Sequence, residues 1–190
     1  MEVLEKVSIT EYLASEEKQV QKHHYVAGEI IPMSGGTLNH NVIATRITHQ
    51  LESQLENRNS PYFVMNSDMK IAIDTIEVIR YPDAVVVCDK VEYYQGRKDV
   101  IVNPIFIAEV LSKSTASQDL GPKFEQYKFI PTLQEYLLVD QYKPYASTYF
   151  KVQKDTWKNT TAMDVNDDLY LASLDCHLSL KKIYRNIFNL

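Results

Sequence analysis

Two acidic residues sit where a carboxylate is costly. Asp83 closes the tripeptide Tyr81-Pro82-Asp83 and stands directly before the apolar run Ala84–Cys88. Glu109 interrupts a second apolar run, Ile105–Leu111. An ionised carboxylate is rarely buried without a partner. A metal ion is one such partner. A salt bridge to lysine or arginine, or exposure at a strand end, meets the same cost, and on composition alone that plainer reading is favoured. Other chemistries are absent from the sequence. There is no GxxxxGK[ST] phosphate loop, no GxGxxG, no GxSxG elbow, no HExxH and no CxxC, and the histidines at 23, 24, 40, 49 and 177 form no zinc pattern.

The elements around these acids follow from periodicity and turn chemistry. Ser8–Lys18 reads as a short helix capped by Ser8 or Thr10. Tyr25–Met33 reads as one extended segment containing Gly28, and Pro32 makes it a poor central strand. Asn39–Arg58 is the clearest helix, with Val42, Ile43, Ile47, Leu51 and Leu55 at helical spacing and Thr37 or Asn39 as N-cap. Tyr62–Asn66, Met69–Ile73 and Val78–Tyr81 read as short strands. Ala84–Cys88 and Ile105–Leu111 read as strands buried on both faces, with Cys88 a small buried hydrophobe and Asp89–Asn103 a loop between them. After a link at Ser112–Ser117, where Ser112 and Ser114 suit capping, a helix runs to about Phe129 with Pro122 in its first turn. Glu135–Asp140 is a strand, and Ala146–Val152 forms a hairpin with the segment around Trp157. Leu169–Leu171 adds a strand and Leu180–Ile187 a final helix.

Composition bounds the whole. The 190 residues, 45% hydrophobic and 24% charged, suit one domain spanning residues 1–190 with a substantial core. No apolar run approaches the roughly 18 residues of a membrane span. Met1–Lys6 lacks the pattern of a signal peptide, and two cysteines demand no disulfide, so the expected location is the cytoplasm. A net charge of −5 argues against strong non-specific nucleic-acid binding unless a basic patch, a metal ion or a partner supplies local positive charge.

In order along the chain, several pieces together resemble one family: Gly28-Glu29-Ile30-Ile31-Pro32-Met33-Ser34, His40 opening the long helix, Tyr81-Pro82-Asp83 and Ala108-Glu109-Val110-Leu111-Ser112-Lys113-Ser114-Thr115. Asp119, Lys123, Tyr127 and the closing Glu135-Tyr136-Leu137-Leu138-Val139-Asp140 complete the set. From about Ser8 to Tyr184 the chain is similar to the Uma2-type family of "putative restriction endonucleases", once catalogued as a domain of unknown function, within the PD-(D/E)xK nuclease superfamily. The resemblance implies an α/β, restriction-endonuclease-like αβββαβ core with a mixed central sheet, flanking helices and a C-terminal β-hairpin. It implies that Asp83 and Glu109, with the carbonyl of Val110, coordinate Mg²⁺ or Mn²⁺, for which two carboxylates suffice because Mg²⁺ keeps several waters. The implied activity is metal-dependent phosphodiester hydrolysis of DNA, in a homodimer.

One position departs from the superfamily pattern. Its lysine stands two residues after the glutamate, and here that residue is Leu111, on the same strand face as Glu109. The resemblance moves the lysine to the next helix, as Lys123. A helix beginning near Leu120 puts that cation in its first turn, against the helix dipole, which is the kind of local conflict expected at functional sites. Tyr127 belongs either to the same helix face as Asp119 and Lys123 or to the apolar stripe of Leu120 and Phe124. Glu29, as a third acidic ligand, and His40, contacting a phosphate or holding Glu29, complete the candidate site. Leu111 and the acidic charge leave an alternative open: a nuclease-fold protein without activity that binds nucleic acid or a partner. Tyr93-Tyr94 reads as a packed or exposed pair rather than a substrate contact.

Overall fold

The first helix, α1 (Ile9–Glu16), begins where Ser8 accepts a hydrogen bond from Glu11 N and the Glu11 carboxylate reaches back to Ser8 N, a capping box. Two strands follow, β1 (His23–Val26) and β2 (Glu29–Pro32), paired as a hairpin. The expected single extended segment is therefore folded in half. Ala27 and Gly28 form the turn with φ of 47° and 96°, and two positive φ angles in succession are what a tight two-residue hairpin loop requires. The long helix α2 (Leu38–Leu55) starts at Thr37, whose side chain accepts from His40 N, and buries Ile43, Ile47, Leu51 and Leu55. The computed structural model describes residues 6–59, 61–113 and 116–188, with the backbone alone for residue 118. Ser114 and Thr115 thus lie outside the described residues.

The chain continues through β3 (Tyr62–Asn66), β4 (Lys70–Ile73), β5 (Val78–Arg80), β6 (Ala84–Cys88), β7 (Val100–Ile101) and β8 (Phe106–Leu111). Helices α3 (Ala116–Asp119) and α4 (Pro122–Tyr127) lead to β9 (Glu135–Asp140), β10 (Ala146–Gln153) and β11 (Thr156–Ala162), then β12 (Asp168–Leu171), β13 (Cys176–Ser179) and α5 (Leu180–Ile183). Six strands form the main sheet in the order β11-β10-β9-β8-β6-β3. It is mixed, because β8 and β9 run parallel while their neighbours pair antiparallel, and a parallel pair needs the long crossover that carries α3 and α4. Alternation along the strands divides the core. Ala84, Val86, Ala108 and Val110 pack with α2 on one face, and Val85, Ile107, Leu111 and Leu138 pack with α4 on the other.

Five strands, β2-β1-β5-β4-β7, form a second sheet that the sequence pattern did not separate from the first. The segment from 89 to 103 is accordingly not all loop, since it carries β7 and a 3₁₀ turn at Tyr94–Gly96. The helix expected after the link, with Pro122 in its first turn, is α4, while the short α3 before it was not expected and is separated from α4 by a break at Gly121 (φ −132°, ψ −92°). Pro122 explains the break, because a proline disfavours helical backbone in the residue before it and has no N–H to continue the ladder. The last helix stops at Ile183, and Asn186 further on takes a left-handed conformation (φ 60°). Cys88, at the end of β6, is half-buried rather than buried, and neither cysteine is in a disulfide. Among the described residues no helix is long and apolar enough to cross a membrane.

Candidate active site

The ladder between β6 and β8 pairs Val86 with Phe106, Val85 with Ile107 and Ala84 with Ala108. Carried one residue further, it sets Asp83 opposite Glu109, on the sheet face that carries α4. Asp83 completes that step with its side chain: Oδ2 accepts from Val110 N at 2.7 Å. N–H and C=O of one strand residue point the same way, so the Val110 carbonyl is turned toward the Asp83 side of β8. Asp83 and Glu109 line a common cleft of about 510 Å³ with His40, Val110, Lys123 and Gln141.

His40 reaches this cleft because the start of α2 is tied to the end of β8. The Thr37 hydroxyl donates to Gln141 Oε1, and Gln141 Nε2 donates to Leu111 O at 3.0 Å. His40 Nε2 then lies 3.2 Å from Asp83 Oδ2. Gly36 makes room for the ring, since a Cβ there would stand 2.9 Å from His40 Nδ1. Burial works against the imidazolium, but the hydrogen bond and charge of Asp83, with Glu109 and Asp119, outweigh it and raise the His40 pKa above its ordinary value.

Glu109 is 3% exposed. Its Oε1 accepts from Tyr127 OH at 2.7 Å and from Lys123 Nζ at 3.3 Å. Burial lifts its carboxyl above the usual carboxylate range, and Asp119 and Asp83 add to the lift while Lys123 opposes it. Lys123 follows Pro122 in the first turn of α4 and is buried, so it is not a solvated surface lysine. Its ammonium also forms an ion pair with Asp119, Nζ to Oδ1 2.7 Å. Burial disfavours the charge, yet Glu109 and Asp119 hold the Lys123 pKa above the ordinary lysine value. Asp119 is 1% exposed, and among the described residues neither of its carboxylate oxygens has a donor aligned for a hydrogen bond.

The helices bearing Asp119 and Lys123 are positioned by three contacts. Arg80, the last residue of β5, donates Nε and Nη2 to Gln126 Oε1 at 3.1 and 2.8 Å. Phe124 stacks on Tyr136 with centroids 4.9 Å apart, and Tyr136 OH donates to Asp119 O at 3.0 Å. Tyr127 turns out to do both things the sequence left open: it is fully buried in the core and it donates to Glu109. His24 also lines the cleft, and burial first, then the charges of Lys123 and Arg80, pull its pKa down to about 3.

Of the residues singled out from sequence, the structure brings together Asp83, Glu109, Val110, Lys123 and His40. It does not bring in Glu29. That residue is exposed at the turn end of the β1–β2 hairpin, paired with Val26, while the cleft is lined by the other end of β2, from Ile31 onward. Two residues of strand, about 7 Å, separate the positions, so His40 holds Asp83 and not Glu29. Leu111 is buried in the core beside Tyr127. Sequence reasoning gave no role to Gln141 or Arg80. Asp119 was visible as a piece of the family resemblance and as the residue four before Lys123, with no role of its own.

A sequence model of the Uma2 family, described as "Putative restriction endonuclease", matches residues 9–181. Two curated proteins of Synechocystis are similar over most of their length. "Uncharacterized protein sll1609" is 36% identical over 163 residues, covering 86% of this chain and 91% of its own. "Uncharacterized protein slr1290" is 35% identical over 184 residues, covering 96% and 93%. Among solved structures, one described as a putative nuclease belonging to DUF820 from Anabaena variabilis superposes with a TM-score of 0.72 at 16% identity, over 96% of this chain and 99% of that one. The restriction-endonuclease-like architecture is thereby shared with that protein.

Proposed function

The chain belongs to the Uma2 family, and from that premise we propose that it hydrolyses phosphodiester bonds in DNA as a metal-dependent endonuclease. The observation that carries this reading is the 3.3 Å approach of Lys123 Nζ to Glu109 Oε1. It supplies a cation on the strand face where the superfamily pattern places one and where this chain has Leu111. It answers Leu111, one of the two features that favoured an inactive binding module; the acidic charge of the chain is the other.

The donor set fits a hard divalent cation. Asp83 and Glu109 offer carboxylate oxygens to one cleft, and the like charges of Asp83 and Asp119 already strain Glu109. Among the described residues no three acidic, histidine or cysteine side chains form a metal cluster. Mg²⁺ does not need one, since it is commonly held by one or two carboxylates and keeps several waters. Asp83, Glu109 and the Val110 carbonyl would hold Mg²⁺ or Mn²⁺, which when bound polarises the phosphate and makes water a stronger nucleophile. His40 Nε2 and Val110 N both meet Oδ2 of Asp83 and orient that carboxylate. Tyr127 and Lys123 do the same for Glu109. The Lys123 ammonium, kept charged by two acids, faces the negative charge that develops on the phosphate oxygens. Cutting both strands of a duplex calls for two such sites, so the proposed assembly is a homodimer, in the cytoplasm.

Nicking of supercoiled plasmid with Mn²⁺ tests the reading. Wild-type protein should nick, and Asp83→Asn and Glu109→Gln should not. Wild-type protein that leaves plasmid intact in Mg²⁺ and Mn²⁺, or variants that nick as fast as wild type, would overturn it.

A further inference from the structure

A second cleft, of about 610 Å³, lies between α2, the β12–β13 hairpin and the segment around α5. Arg46, His49, His177, Lys182 and Arg185 line it against one acid, Asp168. This reverses the sign of the chain as a whole, which has 25 acidic and 20 basic residues.

The floor of the cleft is built and satisfied. Gln50 accepts from Ser179 N at 3.0 Å and donates to Ser179 O at 3.3 Å. Gln54 accepts from His177 N at 3.0 Å and donates to His177 O at 2.9 Å. Two side-chain amides of α2 thus pair with the edge of β13 much as a neighbouring strand would.

Among the described residues, Arg46, Lys182 and Arg185 have no carboxylate within ion-pair distance, whereas nearby Arg58 pairs with Asp175 at 3.4 Å. Arg46 Nη1 donates to Ile183 O and Arg185 O at 2.7 and 2.6 Å. Those bonds fix the chain after α5 and neutralise nothing. Burial, then the charge of Arg185, lowers the Arg46 pKa below its ordinary value, so two like charges are held near each other over a rigid floor. The cleft is also connected to the active site. Tyr184, the residue before Arg185, donates its hydroxyl to Asp140 O at 2.7 Å, and the next residue, Gln141, lines the catalytic cleft.

Resting on the nuclease reading above, we infer that this second cleft binds the phosphate backbone of the DNA flanking the scissile bond. Local charge in the cleft then overcomes the acidic balance of the chain. The experiment follows binding of a short, fluorescent, mixed-sequence DNA duplex to full-length protein by anisotropy, in EDTA so that nothing is cut, across a salt series. Lys182→Glu/Arg185→Glu changes two exposed cations of the cleft. Lys154→Glu/Lys158→Glu makes the same change in net charge on the exposed β10–β11 hairpin. The cleft pair should weaken binding at least about tenfold at low salt and flatten the slope of log K against log salt by about 2, and the hairpin pair should do neither. Equal effects of the two pairs would reduce the result to net charge and overturn the inference. Wild-type protein that nicks plasmid with Mn²⁺ while the cleft pair binds and nicks as well as wild type would overturn the inference alone. Wild-type protein that neither binds the duplex nor nicks plasmid would overturn the nuclease reading with it.

Discussion

Replacing Lys123 by methionine keeps most of the side-chain volume and removes the charge. Lys123 is 4% exposed and serves two buried acids, Glu109 at 3.3 Å and Asp119 at 2.7 Å. At an effective dielectric near 20, the longer contact alone corresponds to about 5 kcal/mol of Coulomb attraction. Desolvation of the ions offsets part of this, and removing one partner of a buried pair costs about 3–5 kcal/mol. Glu109 limits the loss, because burial already raises its pKa and it can take a proton when the ammonium is gone. Lys123→Met should therefore fold with a clearly lower urea midpoint and cut DNA about 10²–10³-fold more slowly. Leu111→Lys on that background returns a cation to the strand face of Glu109. It should restore part of the cleavage, but only part, because a misplacement of about 1 Å can cost a hundredfold. Urea melts and Mn²⁺-dependent cleavage of a mixed DNA substrate, with Asp83→Asn as the blank, read both effects. Lys123→Met with wild-type stability and wild-type cleavage would refute the reasoning. A fully folded double variant that recovers no cleavage would show that a charge on that face is not what the reaction needs.

Three further outcomes are expected. Mn²⁺ at ten times its dissociation constant should stabilise the fold by about 1.4 kcal/mol and should not do so in Asp83→Asn, whereas an equal shift in the variant would put the binding elsewhere. Gly28→Ala should cost about 1–2 kcal/mol or more in a urea melt, since φ is 96° there and a Cβ would stand 2.7 Å from Lys6 Cβ; an unchanged midpoint would contradict the hairpin turn. His24, with its pKa pulled down to about 3 by burial first, is neutral in both folded and unfolded chains above pH 6.5. Below that the unfolded chain takes the proton and the folded chain does not. Stability should thus fall by up to about 1.4 kcal/mol per pH unit between pH 6.5 and 3, and His24→Gln should remove that part of the slope; identical slopes in urea melts of the two proteins would show that His24 is not buried neutral.

Much of the fold was legible because its signals are local. An apolar run such as Ala84–Cys88 announces a strand buried on both faces, and the 3.6-residue recurrence from Ile43 to Leu55 announces α2. The second sheet was not legible, because the three or four residues of β4 and β5 carry no mark of which neighbour they will pair with. The hairpin turn at Ala27-Gly28 was hidden for a different reason: alanine rarely adopts positive φ, and only the glycine hinted at it. That turn also decides where Glu29 goes. Pro122 marked the start of α4, whereas α3, four residues long, is too short to show a helical period. At the site, Asp83 and Glu109 stood out because an acid beside or inside an apolar run needs a reason. Gln141 and Arg80 had no such contrast. They matter through contacts with Thr37, Leu111 and Gln126 that lie 30 to 104 residues away in sequence.

A crystal of the protein soaked with Mn²⁺ and a short DNA duplex, with diffraction recorded for the anomalous signal of manganese, tests the central claim most directly. The account predicts an anomalous peak bounded by the carboxylates of Asp83 and Glu109, with a phosphate of the duplex against it and the Lys123 ammonium still beside Glu109. Manganese bound away from those two carboxylates, or a duplex seated with no phosphate at this cleft, would contradict it.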